Sequence, residues 1–157
     1  MQIKGIISED FINYKKPAMV IEFPRCDFKC DKEYGCQICQ NGVLATTPEI
    51  TIAVDDLVLG YCENEITQAI ICQGLEPFDS WDDLFLLIAK LRKQTLDDII
   101  IYTGYNKNEI EEKILILKTF PNIIIKYGRY IPDQAPHYDD ILGVKLASDN
   151  QYAEKIS

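Results

Sequence analysis

The sequence predicts an α/β fold with a mostly parallel sheet, and three observations carry that expectation. Short apolar, β-branched runs recur at Ala18–Phe23, Thr67–Cys72, Asp98–Tyr102 and Asn122–Tyr127. Segments with apolar residues at helical spacing separate the runs. Those segments reach the roughly one dozen residues that a right-handed crossover between parallel strands needs. At 157 residues and 47% hydrophobic side chains, the chain suits one domain spanning residues 1–157.

Taken in order, AMVIEF at Ala18–Phe23 is bounded by Pro17 and Pro24 and reads as a buried strand. A cysteine-rich loop follows. From Ile52, IAVDDLVLGYCENE has helical periodicity with acids near its start, and it leads into the strand TQAIIC ending at Cys72. Gly74 and Pro77 mark Gln73–Asp79 as a loop, and Ser80 is the expected N-cap of the helix WDDLFLLIAKLRKQ. The strand DIIIY at Asp98–Tyr102 comes next, then the turn TGYNKN, then a helix EIEEKILILKTF that Pro121 closes, then the strand NIIIKY. The remainder, with Pro132, Pro136 and the apolar patch ILGVKLA, shows less regular patterning. Ligands of parallel sheets sit at the carboxyl ends of the strands, so Cys26, Glu76 and Thr103, each just after a strand, are expected on one rim.

A net charge of −9 argues against nucleic acid as a partner, because sequence-independent binding to phosphates rests on clustered Lys and Arg. The apolar runs fall short of the roughly 20 residues a membrane span needs, and the charged N-terminal stretch does not resemble a signal peptide. A cytoplasmic protein is the expectation. In that setting tightly spaced cysteines point to metal or redox chemistry more than to disulfides.

Cys26, Cys30, Cys36 and Cys39 fall within fourteen residues of one loop, CDFKCDKEYGCQIC. Thiolates are the ligands that iron–sulfur clusters take, and a loop allows them to converge. Structural zinc on all four, or disulfides, are the other readings of that spacing. Further along, CQGLEPFD carries Gly74, Glu76 and Pro77 after the second strand, and Tyr102-Thr103-Gly104-Tyr105 follows the third. An acid there can accept hydrogen bonds from an ammonium group, Thr103 offers a hydroxyl, and Gly104 permits close backbone approach.

This ordered set resembles the radical S-adenosylmethionine (SAM) superfamily and, within it, the activating proteins of anaerobic ribonucleotide reductase. Asp10-Phe11-Ile12-Asn13 is similar to their N-terminal Asp-Phe-Val-Asn stretch, and Cys26 and Cys30 have the family's first spacing. Cys39-Gln40-Asn41 is the nearest match to the third cysteine with its following aromatic and Asn. GLEP resembles the Gly-Gly-Glu-Pro motif with Leu75 replacing a Gly, and Ser148-Asp149-Asn150-Gln151 resembles a motif near the family's C-terminus. The loop departs from the pattern, since eight residues separate Cys30 from Cys39 where the family has two.

The resemblance implies a partial, open (βα) barrel of the radical SAM type. It implies a [4Fe–4S] cluster on Cys26, Cys30 and Cys39, with Cys36 as the alternative third ligand, and an open iron for SAM. Gly74, Glu76, Thr103, Gly104 and Asn150 are the implied SAM contacts, although Asn150 and Gln151 also suit closing the sheet edge. An external donor such as flavodoxin or ferredoxin would reduce the cluster. The partner would be a glycyl radical protein, most naturally an anaerobic ribonucleotide reductase. A radical SAM enzyme acting on another protein, peptide or small molecule is one rival, and a non-enzymatic four-cysteine zinc or iron–sulfur module is another. Cys62 and Cys72 are expected as buried hydrophobes, His137 as a surface loop residue, and Trp81 as a packing residue. Asp97, Asp98, Glu109, Glu111 and Glu112 are expected on solvated faces.

Overall fold

The computed structural model describes residues 1–157. Its centre is four parallel strands, β3 (Ala18–Phe23), β5 (Ala69–Gly74), β6 (Asp98–Tyr102) and β7 (Ile123–Tyr127), adjacent in chain order. Antiparallel strands flank both edges: β2 (Gly5–Asp10) beside β3, and β10 (Tyr152–Lys155) beside β7. The short β1 (Gln2–Ile3) pairs with β4 (Ile50–Thr51), and β8 (His137–Asp139) forms a hairpin with β9 (Val144–Leu146). The architecture is mixed α/β with a mostly parallel central sheet.

Strand periodicity divides the sheet into two faces. One buries Met19, Ile21, Ile70, Ile99, Ile101 and Ile125 against three helices, α2 (Val54–Cys62), α3 (Trp81–Leu91) and α4 (Glu111–Leu117). Each of these helices opens with two acids, Asp55 and Asp56, Asp82 and Asp83, Glu111 and Glu112, which complement its positive end. The opposite face carries Val20, Ile71, Ile100 and Ile124 and is covered by Tyr14, Leu142 and Leu146. Each isoleucine buried here stabilises the fold by about 1.5–3 kcal/mol relative to exposure. With every crossover helix on one face, the sheet is singly wound. No helix is long and apolar enough to cross a membrane.

All four anticipated strands form. Asp98–Tyr102 matches throughout, and the strand expected to stop at Cys72 continues to Gly74. The helices form within their expected spans but shorter: α2 starts two residues late, and α4 stops at Leu117, before Pro121. The N-terminal strands and β10 are additions, since β2 is exposed along most of its length and carries no apolar alternation to betray it. Ser80 does not cap α3 with its side chain; its hydroxyl is buried without a partner, and the Glu76 side chain caps the preceding turn at Pro77–Ser80 by accepting from Phe78 N–H. Cys72 is buried as expected, whereas Cys62 is exposed on the outer side of α2, so its expected burial is corrected. His137 lies in strand β8 and Trp81 packs partly buried against the core.

Three of the acids expected on solvated faces have specific partners. Asp98 accepts from Tyr14 and Lys16, and Asp97 accepts from the Tyr61 hydroxyl at 2.6 Å. Glu109 receives a two-pronged bond from Arg129 at 2.7 and 2.8 Å.

Candidate iron–sulfur site

A chain leaving β3 at Phe23 turns into the cysteine loop over the carboxyl ends of the parallel strands. There Cys26, Cys30 and Cys39 line one cavity of about 320 Å³, together with Gly74, Glu76, Thr103 and Gly104. The three cysteines are half-buried; Cys36 is exposed and does not line the cavity. The rim inferred from strand order therefore gathers Cys26, Glu76 and Thr103 as expected.

The long insertion explains how Cys39 comes back to Cys26 and Cys30. Residues Lys29–Tyr34 form a short helix, α1, which Gly35 ends in a left-handed conformation at φ 80°. The chain then returns, and Asp31 Oδ1 accepts the backbone N–H groups of Ile38 and Cys39, both at 2.8 Å. Cys36 is carried on the outside of that excursion. Asn41 then donates to the Gly74 carbonyl at 2.6 Å, tying the loop's exit to the end of β5. On its other flank Arg129, itself buried, reaches Glu33 of α1 at 3.2 Å while holding Glu109, and Lys29 stands 4.2 Å from the Tyr105 ring centroid.

Glu76 is the polar hub of the rim. It is 5% exposed, and its carboxylate accepts from Thr103 Oγ1 at 2.8 Å, Gly104 N–H at 2.9 Å and Phe78 N–H at 3.1 Å. Burial pushes its acid up to about 7, against the pull of those three donors. Gly74 has φ +97°, and a Cβ there would stand 2.8 Å from the Phe23 backbone nitrogen, so its glycine serves close strand packing. Gly104 differs: a Cβ would lie 3.7 Å from both Cys30 Sγ and a Glu76 oxygen, facing the cavity.

Asn150 stands off the cavity and donates to the Arg129 carbonyl at 2.8 Å, while Gln151 reaches the cavity wall and holds the Gly128 carbonyl at 3.3 Å. Both amides join the β7 exit to the β10 edge. Residues to which the sequence analysis assigned no site role also face the cavity. Asn13 arrives from the turn that Asp10 caps by accepting from the Ile12 and Asn13 N–H groups, and Gln73, Tyr102 and Lys126 form the floor. Lys126 was legible as the one charge in the apolar strand IIIKY; burial lowers its ammonium to about 8, while Glu76 and Cys30 oppose that shift.

The donor set fits an iron–sulfur cluster. Three half-buried thiols border one cavity, each pushed up by burial, Cys26 to about 12, so that iron binding displaces protons from all three. Phe28 N–H points at Cys26 Sγ at 3.2 Å, the kind of donor that tunes a coordinated sulfur. Comparison with known proteins agrees with that chemistry. No curated protein and no solved structure matches the chain. The model of one family, described as a 4Fe-4S single cluster domain, matches residues 19–148, a span that runs from β3 through the cysteine loop and the rim to the segment after β9. The chain belongs to this family of single-cluster 4Fe-4S domains.

Proposed function

We propose that this chain is a radical SAM enzyme of the kind that activates anaerobic ribonucleotide reductase, folded as a partial, open (βα) barrel. The observation that carries this reading is the division of the four loop cysteines. Cys26, Cys30 and Cys39 share a cavity with Glu76, Thr103 and Gly104, and Cys36 lies outside it. Three protein ligands leave one iron of a cubane for a small molecule, and the cavity beside them supplies the space. A closed four-cysteine zinc or iron–sulfur module would need Cys36 inside. The singly wound sheet supports the barrel reading, because the crossover helices all pack on one face, as they do on the outside of a (βα) barrel, and the cavity opens at the carboxyl ends of the strands.

The chemistry a bound [4Fe–4S] cluster supplies is one-electron reduction of SAM's sulfonium, which breaks the S–C5′ bond to give methionine and a 5′-deoxyadenosyl radical. The residues of the chain bind and orient. Glu76 would present carboxylate oxygen to the ammonium of the methionine moiety, held in place by Thr103 and Gly104. Gly104 leaves the wall between Cys30 and Glu76 open for close approach. Asn41 fixes the end of the cysteine loop on β5, so loop and rim keep one spacing. The partner would be a glycyl radical protein docked over the open rim, with an external flavodoxin or ferredoxin as electron donor.

The test is anaerobic reconstitution with iron and sulfide followed by reduction and SAM. About four irons per chain, with methionine and 5′-deoxyadenosine released in equal amounts, support the reading. A chain that takes up one zinc, or a cluster that leaves SAM intact, defeats it.

A further inference from the structure

Behind Cys30, away from the main cavity, lies a second hollow of about 20 Å³, too small for an organic ligand. Cys30, Gly104, Tyr105 and Arg129 are among the residues that line it. The stem of Arg129 runs close to the sulfur: a Cβ built on Gly104 would lie 3.7 Å from Cys30 Sγ and 3.8 Å from Arg129 Cγ. Arg129 is 7% exposed, and its guanidinium is held from behind. Glu109 takes the two-pronged bond at 2.7 and 2.8 Å, and Glu33 Oε2 stands 3.2 Å from Nε. The backbone is fixed as well, since Asn150 donates to the Arg129 carbonyl.

The arrangement has a polarity. Neither acid partner of Arg129 lines the hollow, so the cation is the member of this ion-paired set turned toward the sulfur. Glu33 is 60% exposed, which lets water screen it, and Glu109 is shared with Lys29 Nζ at 3.6 Å. The field is felt at the thiol: burial and the neighbouring Cys39 push Cys30 up, while the Tyr130 N–H and Arg129 pull it down.

A [4Fe–4S] cluster in its 2+ state that takes up one electron gains a negative charge with nothing to offset it. A fixed cation beside a ligand sulfur therefore favours the reduced form, and net charge near the cluster is one of the protein's main levers on its potential. A guanidinium clamped by a carboxylate fork neither swings away nor loses its proton.

We infer that Arg129, held behind Cys30 by Glu109 and Glu33, is a positioning residue that raises the reduction potential of the cluster bound at that cysteine. The inference rests on the cluster that membership of the 4Fe-4S family assigns and on Cys30 as a ligand; it needs neither SAM nor the identity of the third cysteine.

The experiment is an anaerobic redox titration of the reconstituted protein with dithionite and mediators, without SAM, followed by the paramagnetic resonance of the reduced cluster. Wild type is compared with Arg129→Gln and Glu109→Gln. Arg129→Gln should lower the equilibrium constant for reduction roughly tenfold, a fall of about 59 mV for one electron. Glu109→Gln frees the guanidinium from its counter-charge and should shift the constant the other way, by about threefold or more. Loosened packing alone would move both variants in the same direction. A fall of less than about threefold in Arg129→Gln, or a potential that stays or falls in Glu109→Gln, overturns the inference and leaves SAM cleavage untouched. If Arg129→Gln does not retain its cluster, the sign in Glu109→Gln decides alone. A wild-type chain that takes up zinc in place of iron overturns this inference together with the proposed function.

Discussion

Asp31 and Cys39 lie eight residues apart, and the carboxylate of the first accepts the backbone N–H of the second at 2.8 Å. The same oxygen accepts Ile38 N–H, so one side chain closes the inserted segment and returns Cys39 to the rim. Hydrogen bonds to a charged acceptor contribute about 1.5–3 kcal/mol when well shielded, and this half-buried pair belongs at the lower end. Asp31→Ala should therefore loosen the third ligand without unfolding the domain. The expected outcome is iron loss to a chelator several-fold faster than wild type, with an unchanged far-ultraviolet dichroism spectrum.

The same geometry separates two cysteines that spacing alone leaves equivalent. Cys39→Ala should abolish assembly of a four-iron cluster, and Cys36→Ala should retain most of it, because Cys36 is exposed on the far side of the excursion. Iron and sulfide content with the paramagnetic resonance spectrum of the reduced protein measures both. A reversed pair of results would assign the third ligand to Cys36.

Glu76 binds the ends of β5 and β6 through Thr103, so the two should be energetically coupled. In Glu76→Gln the amide nitrogen must face either the Gly104 N–H or the Phe78 N–H, both of which can only donate, and a buried donor without an acceptor costs about 1–3 kcal/mol. Thr103→Val removes one donor from the carboxylate and should cost roughly 1 kcal/mol or more. A double-mutant cycle by denaturant unfolding of the cluster-free protein should show a coupling of at least about 0.5 kcal/mol. Strictly additive losses would mean that the hydrogen bond contributes nothing to folding.

Asp98 gives a pH signature remote from the cysteines. Burial raises its acid, but hydrogen bonds from Lys16 and Tyr14 outweigh that and hold it below its ordinary value. A carboxyl depressed in the folded state stabilises above its unfolded pKa of about 3.9, and the contribution is lost as pH falls through the lower folded value. Asp98→Asn should accordingly be less stable than wild type at pH 7, and the gap should narrow progressively below about pH 4. Unfolding midpoints across that range test the sign.

The parallel core was legible because its strands are isoleucine runs flanked by breakers, a pattern that local sequence alone imposes at Asp98–Tyr102 and Asn122–Tyr127. β2 was not, because an edge strand exposed over Ile6–Glu9 has no buried face to impose alternation. The rim followed from strand order, since Glu76 and Thr103 each had to leave a strand on the same side. Long-range pairing was invisible: Asp31 with Cys39, Arg129 with Glu33, and Glu109 with Arg129 join segments that no periodicity relates. Ser80 illustrates the converse failure, where a residue with the right local chemistry stands at the N-cap position of α3 without making the capping bond, while Glu76, four positions earlier, caps the turn that leads into the helix.

Two glycines of the rim should separate structural from ligand-binding roles. At Gly74 a methyl group meets the β3 backbone, 2.8 Å from Phe23 N and 2.9 Å from Glu22 Cα, with φ at +97°. Backbone atoms in a central sheet cannot yield, so Gly74→Ala should destabilise the cluster-free protein by several kcal/mol, on the order of the largest single-residue effects. At Gly104 the nearest atoms lie at 3.7 Å, an ordinary contact distance, and the φ is not positive. Gly104→Ala should then fold with a midpoint close to wild type and assemble its cluster. The added methyl occupies the cavity between Cys30 and Glu76, where the proposed reaction places SAM. Its expected defect is therefore in SAM affinity, by tenfold or more, read by equilibrium binding to the reconstituted protein. If Gly104→Ala bound SAM like wild type, the ligand would not enter between those two side chains, and the placement of the methionine moiety against Glu76 would have to be abandoned.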